Sequence, residues 1–286
     1  MAHYPAATWR LLITPPTDGA TNMAIDEAIL HTVADGVGPP MLRFYQWAPP
    51  CLSLGYNQHY TEVDEVACTR LGYTWVRRPT GGRAILHIDE LTYSVIAPAS
   101  DPRVEGGIVE SYRRLSSGLL DGLRALGADV FQAQTEKVRN SKKSGVCFDT
   151  PSNYEITVRG KKLIGSAQVR RRAMVLQHGT LPLIGDLRRI FACLHVAEPG
   201  SNGSDSHQAR NVSADLGDWL LERACTLEQA LGRSVSFDEA AHALAQGFAA
   251  TLDLRLESGD LTRNERTLVE RLRSERYDSD DWNRRV

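Results

Sequence analysis

Four short stretches carry residue types that could do chemistry. In "GVCFDTPSNYEITVR", Gly145 to Arg159, Cys147 sits among turn formers just upstream of an alternating, strand-like run. Structural cysteines usually lie inside apolar runs, so Cys147 is either a packing thiol or a nucleophile. "RRPTGGRAILHIDELTYS", Arg77 to Ser94, places the adjacent pair Gly81 and Gly82 after a strand. There the backbone can approach a ligand closely and flanking N–H groups can cradle an anion, or the pair simply makes a hairpin turn. It is not a phosphate-binding loop of the G-K-[ST] kind. His87, Asp89 and Glu90 follow. Strand alternation puts His87 and Asp89 on one face and Glu90 on the other, a poor metal set, so no metal site is expected. A core histidine is the plainer account of His87.

In "KKLIGSAQ", alternation places Lys162, Ile164, Ser166 and Gln168 on one face and Leu163, Gly165, Ala167 and Val169 on the other. Glycine weakens a strand interior, so Gly165 beside Ala167 suggests something slender, such as an acyl chain, lying against that face. Lys162 reads equally as an edge charge. In "VLQHGTLPL", His178 stands before Gly179. It could bring a polar group to the same region, or it packs across strands.

The elements that must position these residues are legible as periodicities. "TNMAIDEAIL" opens a helix with Thr21 or Asn22 as N-cap and Asp26 and Glu27 in its early turns. "MLRFYQW" and "CLSLGYNQ" are strands, the second closing at Gly55, and "TEVDEVACTRLG" is a short helix ending at Gly72. Strand, glycine loop and strand follow, then a long amphipathic helix through Leu115, Leu119 and Leu123. Ile156 and Val158 begin a meander that turns at Arg159-Gly160 and continues as Lys162–Arg170 and Ala173–Leu183. "EPGSNGSDSHQARNVSADLGD" reads as an exposed loop. The remainder is helical, with Ser236 and Glu239 as a capping box. Strands gathered in the first two thirds and helices at the end define an α+β fold: a mixed β-sheet core flanked by helices, with a helical C-terminal segment. The expected organisation is a catalytic domain over residues 1–250 and a helical extension over 251–286 packed on it.

The chain of 286 residues has a formal net charge of -2, which excludes a global basic field for nucleic acid. No apolar stretch reaches the roughly 20 residues that span a bilayer, and the N-terminus lacks a signal-peptide pattern, so a cytoplasmic protein is expected. Five irregularly spaced cysteines suggest neither a zinc site nor a disulfide framework. Four of them read as small core residues, which isolates Cys147.

Together and in this order, "RRPTGGRAILHIDELTYS", "CFDTPSNYE", "GKKLIGSAQ" and "LQHGT" resemble the family of lipoate–protein ligases, biotin–protein ligases and octanoyltransferases. The likeness runs from about Trp9 to Leu183, and "ATNMAIDEAIL" and "LRFYQWAPPCLSLGYNQ" fit its opening segments. It is nearest the cysteine-dependent, LipM-type octanoyltransferase branch, where a G-G-R loop also belongs. The resemblance implies a biotin/lipoyl protein ligase-like catalytic domain. It implies transfer of octanoyl from octanoyl-acyl carrier protein to a lysine of a lipoyl-domain acceptor, such as the glycine-cleavage H protein. It makes Cys147 the nucleophile and Lys162 its activating partner, with Arg78, Gly81, Gly82, His87, Gly165, Ser166, Ala167 and His178 around the substrate. No metal, nucleotide, nucleic acid or membrane is implied, and a monomer is expected.

Chemistry agrees with that assignment. A covalent thioester divides acyl transfer between two proteins into two easier displacements. A neighbouring cation supplies more thiolate and stabilises the oxyanion. The competing reading is a ligase that adenylates free lipoate with ATP and magnesium. It would use Lys162 and leave Cys147 incidental; residues 184–286 look too short and too purely helical for the accessory domain many ligases carry. An amidotransferase between lipoyl domains and a non-catalytic acyl-binding protein complete the alternatives.

Overall fold

The computed structural model describes residues 4–133, 155–195 and 206–286. Cys147 and its neighbours lie outside the described residues. The described elements are β1 (Ala7–Ile13), α1 (Gly19–Ala34), β2 (Met41–Tyr45), β3 (Cys51–Leu54), α2 (Glu65–Leu71), β4 (Thr74–Arg77), β5 (Ile85–His87), β6 (Glu90–Pro98), α3 (Ile108–Ala125) and β7 (Val130–Gln132). After these come β8 (Ile156–Val158), β9 (Lys161–Arg171), β10 (Met174–Pro182), α4 (Ser206–Arg223), α5 (Leu227–Leu231), α6 (Phe237–Leu252), β11 (Leu254–Ser258), α7 (Arg263–Leu272) and α8 (Asp280–Asn283).

Eight strands form one sheet in the order β11-β1-β2-β6-β10-β9-β8-β7. β1 runs parallel to both β11 and β2, and every later neighbour is antiparallel. A second sheet, β4-β3-β5, lies apart. This is the mixed-sheet α+β architecture that the sequence predicts.

Alternation along the strands sorts their side chains between two layers. On one face Leu42, Phe44, Tyr93, Val95 and Val175 meet α3 and α6 through Leu115, Leu119, Leu123, Leu244 and Phe248. On the other, Met41, Tyr45, Ile96 and Leu176 meet α1 and α7 through Met23, Ile29, Val269 and Leu272. The small sheet has its own core of Leu52, Leu54, Ala84, Ile190, Phe191 and Leu220. Burial of these three apolar sets is the main driving force for the fold.

Several local readings change. Asp18, not Thr21 or Asn22, caps α1, its side chain accepting from the Thr21 N–H at 2.9 Å. Asp26 and Glu27 therefore fall in the helix interior, where both are buried. Glu27 accepts from Tyr277 Oη at 2.6 Å and Arg276 Nη1 at 2.8 Å, which fastens the chain after α7 to α1. Ser236 caps α6, but Glu239 pairs with Arg233 at 2.8 Å; the reciprocal capping boxes are Thr226/Gln229 and Thr262/Glu265.

Within the stretch read as a loop, residues 206–218 belong to α4. Leu216, Trp219 and Leu220, at helical spacing, dock on the small-sheet core and override the loop-like composition. The C-terminal segment is not purely helical either, since Leu254–Ser258 forms the edge strand β11 beside β1.

Candidate active site

The meander positions Lys162, and a bulge decides where it points. Ile156 pairs with Ile164 while Thr157 pairs with Lys162, so Leu163 is an extra residue in β9. Leu163 and Ile164 consequently both enter the α3/α6 core. Lys162 falls on the face of Gly165 and Ala167, not on that of Ser166, whose hydroxyl meets Tyr93 Oη at 2.7 Å on the core side. The alternation expected for this strand is thus corrected by one residue. Lys162 is buried, and its Nζ lies 2.5 Å from Glu155 Oε1, itself buried.

That same face of the large sheet, roofed by the small one, encloses a cavity. Gly165, Ala167, His178, Thr180, Thr92 and Tyr45 form its floor; Ser53, Arg78, Ile85 and His87 form its roof. Met23 and Trp47 stand at the α1 side. The space is narrow, about 20 Å³, room for little more than a single water. Six of the eight residues assigned to substrate binding line it: Arg78, His87, Gly165, Ser166, Ala167 and His178.

Gly81 and Gly82 do not line the cavity. Their loop is bound by Arg78, which donates from Nη2 to Gly81 O at 2.8 Å and Arg83 O at 2.7 Å, and from Nη1 to Ser53 O at 3.0 Å. Gly82 also closes onto the end of β3: a Cβ at Gly55 would sit 1.8 Å from Gly82 O.

Two histidines tie roof to floor. His87 Nε2 is 2.8 Å from Ser53 Oγ, and His87 Nδ1 is 2.8 Å from Glu90 Oε1. Its ring stacks on Trp47 with centroids 3.9 Å apart. Alternation excludes the His87–Glu90 contact, yet Asp89, at φ 53°, turns the chain and brings them together. Asp89 instead faces outward to Arg189 at 2.8 Å. His178 Nε2 is 2.6 Å from Thr80 Oγ1, and its Nδ1 lies 3.7 Å from Asp26 Oδ2. Burial lowers the His178 pKa below the ordinary histidine value, which leaves the ring neutral at pH 7. Burial pushes the Asp26 carboxyl up, but Arg43 and His178 outweigh it and hold it below the ordinary carboxylate range.

The four described cysteines, Cys51, Cys68, Cys193 and Cys225, are buried free thiols, as expected of packing residues. Burial pushes Cys51 up to about 12 and Cys225 up to about 11, far from a thiolate at neutral pH. Among the described residues no cluster of His, Cys, Asp or Glu could hold a metal ion.

Sequence reasoning missed Ser53, Thr80, Asp26, Glu155, Trp47 and Met23. A signal existed for one of them: Asp26 and Glu27 interrupt an otherwise apolar run from Met23 to Leu30. Gly179 has a role the sequence left undrawn. A Cβ there would lie 2.4 Å from Ser166 Oγ, 2.6 Å from Tyr93 Cε1 and 2.7 Å from Gly165 O. Gly179→Ala should therefore force β9 away from β10 and lower stability by about 1–3 kcal/mol. Urea unfolding checks this, and an unchanged midpoint would show that the strands give way freely.

A mixed sheet with a narrow roofed cavity, and a buried lysine on the same sheet face, defines a lipoyl-ligase type of catalytic domain. The chain belongs to the lipoyl protein ligase A/B catalytic domain family, whose sequence profile matches residues 18–249. It is 44% identical to the octanoyltransferase LipM of Kyrpidia tusciae over 283 residues, 97% of this chain and 99% of that protein. It is 43% identical to the octanoyltransferase LipM of Moorella thermoacetica, over 98% of this chain and 99% of that one. The bipartite lipoate protein ligase of Thermoplasma acidophilum superposes with a TM-score of 0.77 at 25% identity, covering 97% of this chain and 96% of that one. A lipoate-protein ligase A bound with ATP gives a TM-score of 0.76 at 26% identity, covering 97% and 99%.

Proposed function

We propose that this protein is an octanoyltransferase of lipoate biosynthesis. It moves octanoyl from octanoyl-acyl carrier protein to a lysine amine of a lipoyl-domain protein, the glycine-cleavage H protein being the expected acceptor. The observation that carries the reading is the bulge at Leu163, which turns Lys162 onto the cavity face beside Gly165. The near full-length likeness to octanoyltransferases adds to it. We assign the reaction to the cytoplasm; among the described residues no helix is long and apolar enough to cross a membrane.

In this reading the Cys147 thiolate attacks the carrier thioester carbonyl, and the tetrahedral intermediate expels the carrier thiolate, which takes a proton. The acceptor ammonium gives up a proton to solvent and the amine attacks the Cys147 thioester. The tetrahedral intermediate loses a second proton from nitrogen to solvent and expels the cysteine thiolate as the amide forms. Lys162 holds a positive charge beside both oxyanions, where a fixed cation counts most. The apolar stretch of the cavity receives the acyl tail, and His87 and His178, each held by a carboxylate and a hydroxyl, keep roof and floor at a fixed spacing.

The test is intact-protein mass after incubation with octanoyl-acyl carrier protein, without ATP. Wild type should gain one octanoyl group removable by hydroxylamine, and Cys147→Ala should gain none. ATP-dependent lipoyl transfer that survives Cys147→Ala would instead make the protein a ligase.

A further inference from the structure

We propose that Met23 closes the far end of the acyl cavity and sets the length of straight acyl chain accepted there. The inference rests on the acyl-transfer reading for the chemical class of its ligand. The cavity has a direction. Gly165 and Ala167 of β9, on the Lys162 face, form one end, and the floor then crosses β10 at His178 and Thr180, β6 at Thr92 and β2 at Tyr45. Three strand-to-strand steps amount to roughly 14 Å. A carbonyl held near Lys162 sends its tail across those strands toward Met23 and Trp47.

The walls at the far end differ in stiffness. Trp47 stacks on His87 and donates from Nε1 to Thr92 Oγ1 at 2.8 Å. Tyr45 donates to Asp26 Oδ2 at 3.2 Å and lies under the Arg43 guanidinium, 3.8 Å from the ring centre. Ile85 is β-branched and Ala167 is minimal. Met23 is the single long, unbranched apolar side chain among the lining residues, and a thioether chain adapts its shape at low cost. The cavity is too narrow for an acyl chain as it stands, so entry displaces a side chain, and Met23 is the one built to move. The volume it vacates then fixes how many carbons fit.

The experiment uses the full chain as wild type, Met23→Ala, Met23→Val and Met23→Leu, each confirmed folded by its unfolding transition. Two readouts are taken: acylation by hexanoyl-, octanoyl-, decanoyl- and dodecanoyl-acyl carrier protein, and the rise in unfolding temperature with the matching free carboxylates, which needs no catalysis. Met23→Ala should raise the dodecanoyl-to-octanoyl ratio of kcat/KM by about 10-fold or more, since methylene-sized changes in such pockets discriminate on that scale. Met23→Val should move it less in the same direction, and Met23→Leu should leave it near wild type. A longer-chain optimum in the stabilisation readout without any carrier acylation would uphold the gate and overturn the transferase reading. An optimum unmoved by Met23→Ala and Met23→Val, or no stabilisation by any chain in wild type, would overturn the gate.

Discussion

Lys162→Met is expected to lower octanoyl transfer by about 10²–10³-fold, the scale seen when one fixed oxyanion-stabilising group is removed. The same change leaves the Glu155 carboxylate buried without the ammonium 2.5 Å away. Removing one partner of a buried ion pair costs about 3–5 kcal/mol, so the variant should also unfold at clearly lower urea. These effects separate in the double variant Lys162→Met/Glu155→Gln, which removes both charges from the buried pair. Its stability should return most of the way, while its transfer rate should stay as low as that of Lys162→Met. Recovery of both would make Lys162 a structural residue and move the activating cation elsewhere. Single-turnover transfer and urea midpoints on wild type and the two variants decide the matter.

How far the sequence foretells this site depends on the scale at which it is read. Periodicity identifies β8, β9 and β10 and their turn, because alternating apolar residues and an Arg159-Gly160 step have few other solutions. Arg159 at φ 49° and Gly160 at φ 79° take up that turn. What periodicity cannot supply is a one-residue slip. Leu163 is apolar like Ile164 after it, so nothing in its type announces a bulge, yet the slip puts Lys162 and Ser166, which alternation places together, on opposite faces. The same holds at Asp89, where one left-handed residue converts His87 and Glu90 from opposite faces into hydrogen-bonded partners. Short-range pattern also misjudges α4 and β11. Each owes its conformation to a surface distant in sequence: Leu220 to the small-sheet core, Leu254 to the edge strand β1. The motif resemblance reaches further than the periodicities, since it names six cavity-lining residues. It passes over Asp26 and Thr80, which hold His178 from outside those motifs or without a motif role.

Asp26 carries the second large effect. Its carboxylate lies fully inside the protein, with Arg43 Nη1 at 2.8 Å, Ser94 Oγ at 2.9 Å and Tyr45 Oη at 3.2 Å. Asp26→Ala leaves the wholly buried Arg43 guanidinium with Asn22 and Thr14 but without its counter-charge, and takes the acceptor from two hydroxyls, so stability should fall by about 3–5 kcal/mol. Asp26→Asn, which keeps the shape but not the charge, should fall by less. The pH dependence follows from the two depressed pKa values at this spot. Because the folded Asp26 pKa lies below its unfolded value, near 3.8, its contribution is complete above that pH and is lost as pH falls through the folded value. Because the folded His178 pKa lies below 6.5, the unfolded chain binds the proton first, and stability starts to fall as pH drops below about 6.5. His178→Gln should flatten the slope of urea midpoint against pH just below 6.5 and leave the steeper loss near pH 4 in place. Asp26→Asn should make that lower loss smaller, with the remainder left to other carboxylates held down by arginines, such as Glu265 beside Arg10. An acid slope that is the same in all three proteins would mean that the protons are taken up elsewhere. It would leave Asp26 and His178 as hydrogen-bonding groups whose charge states do not govern the fold.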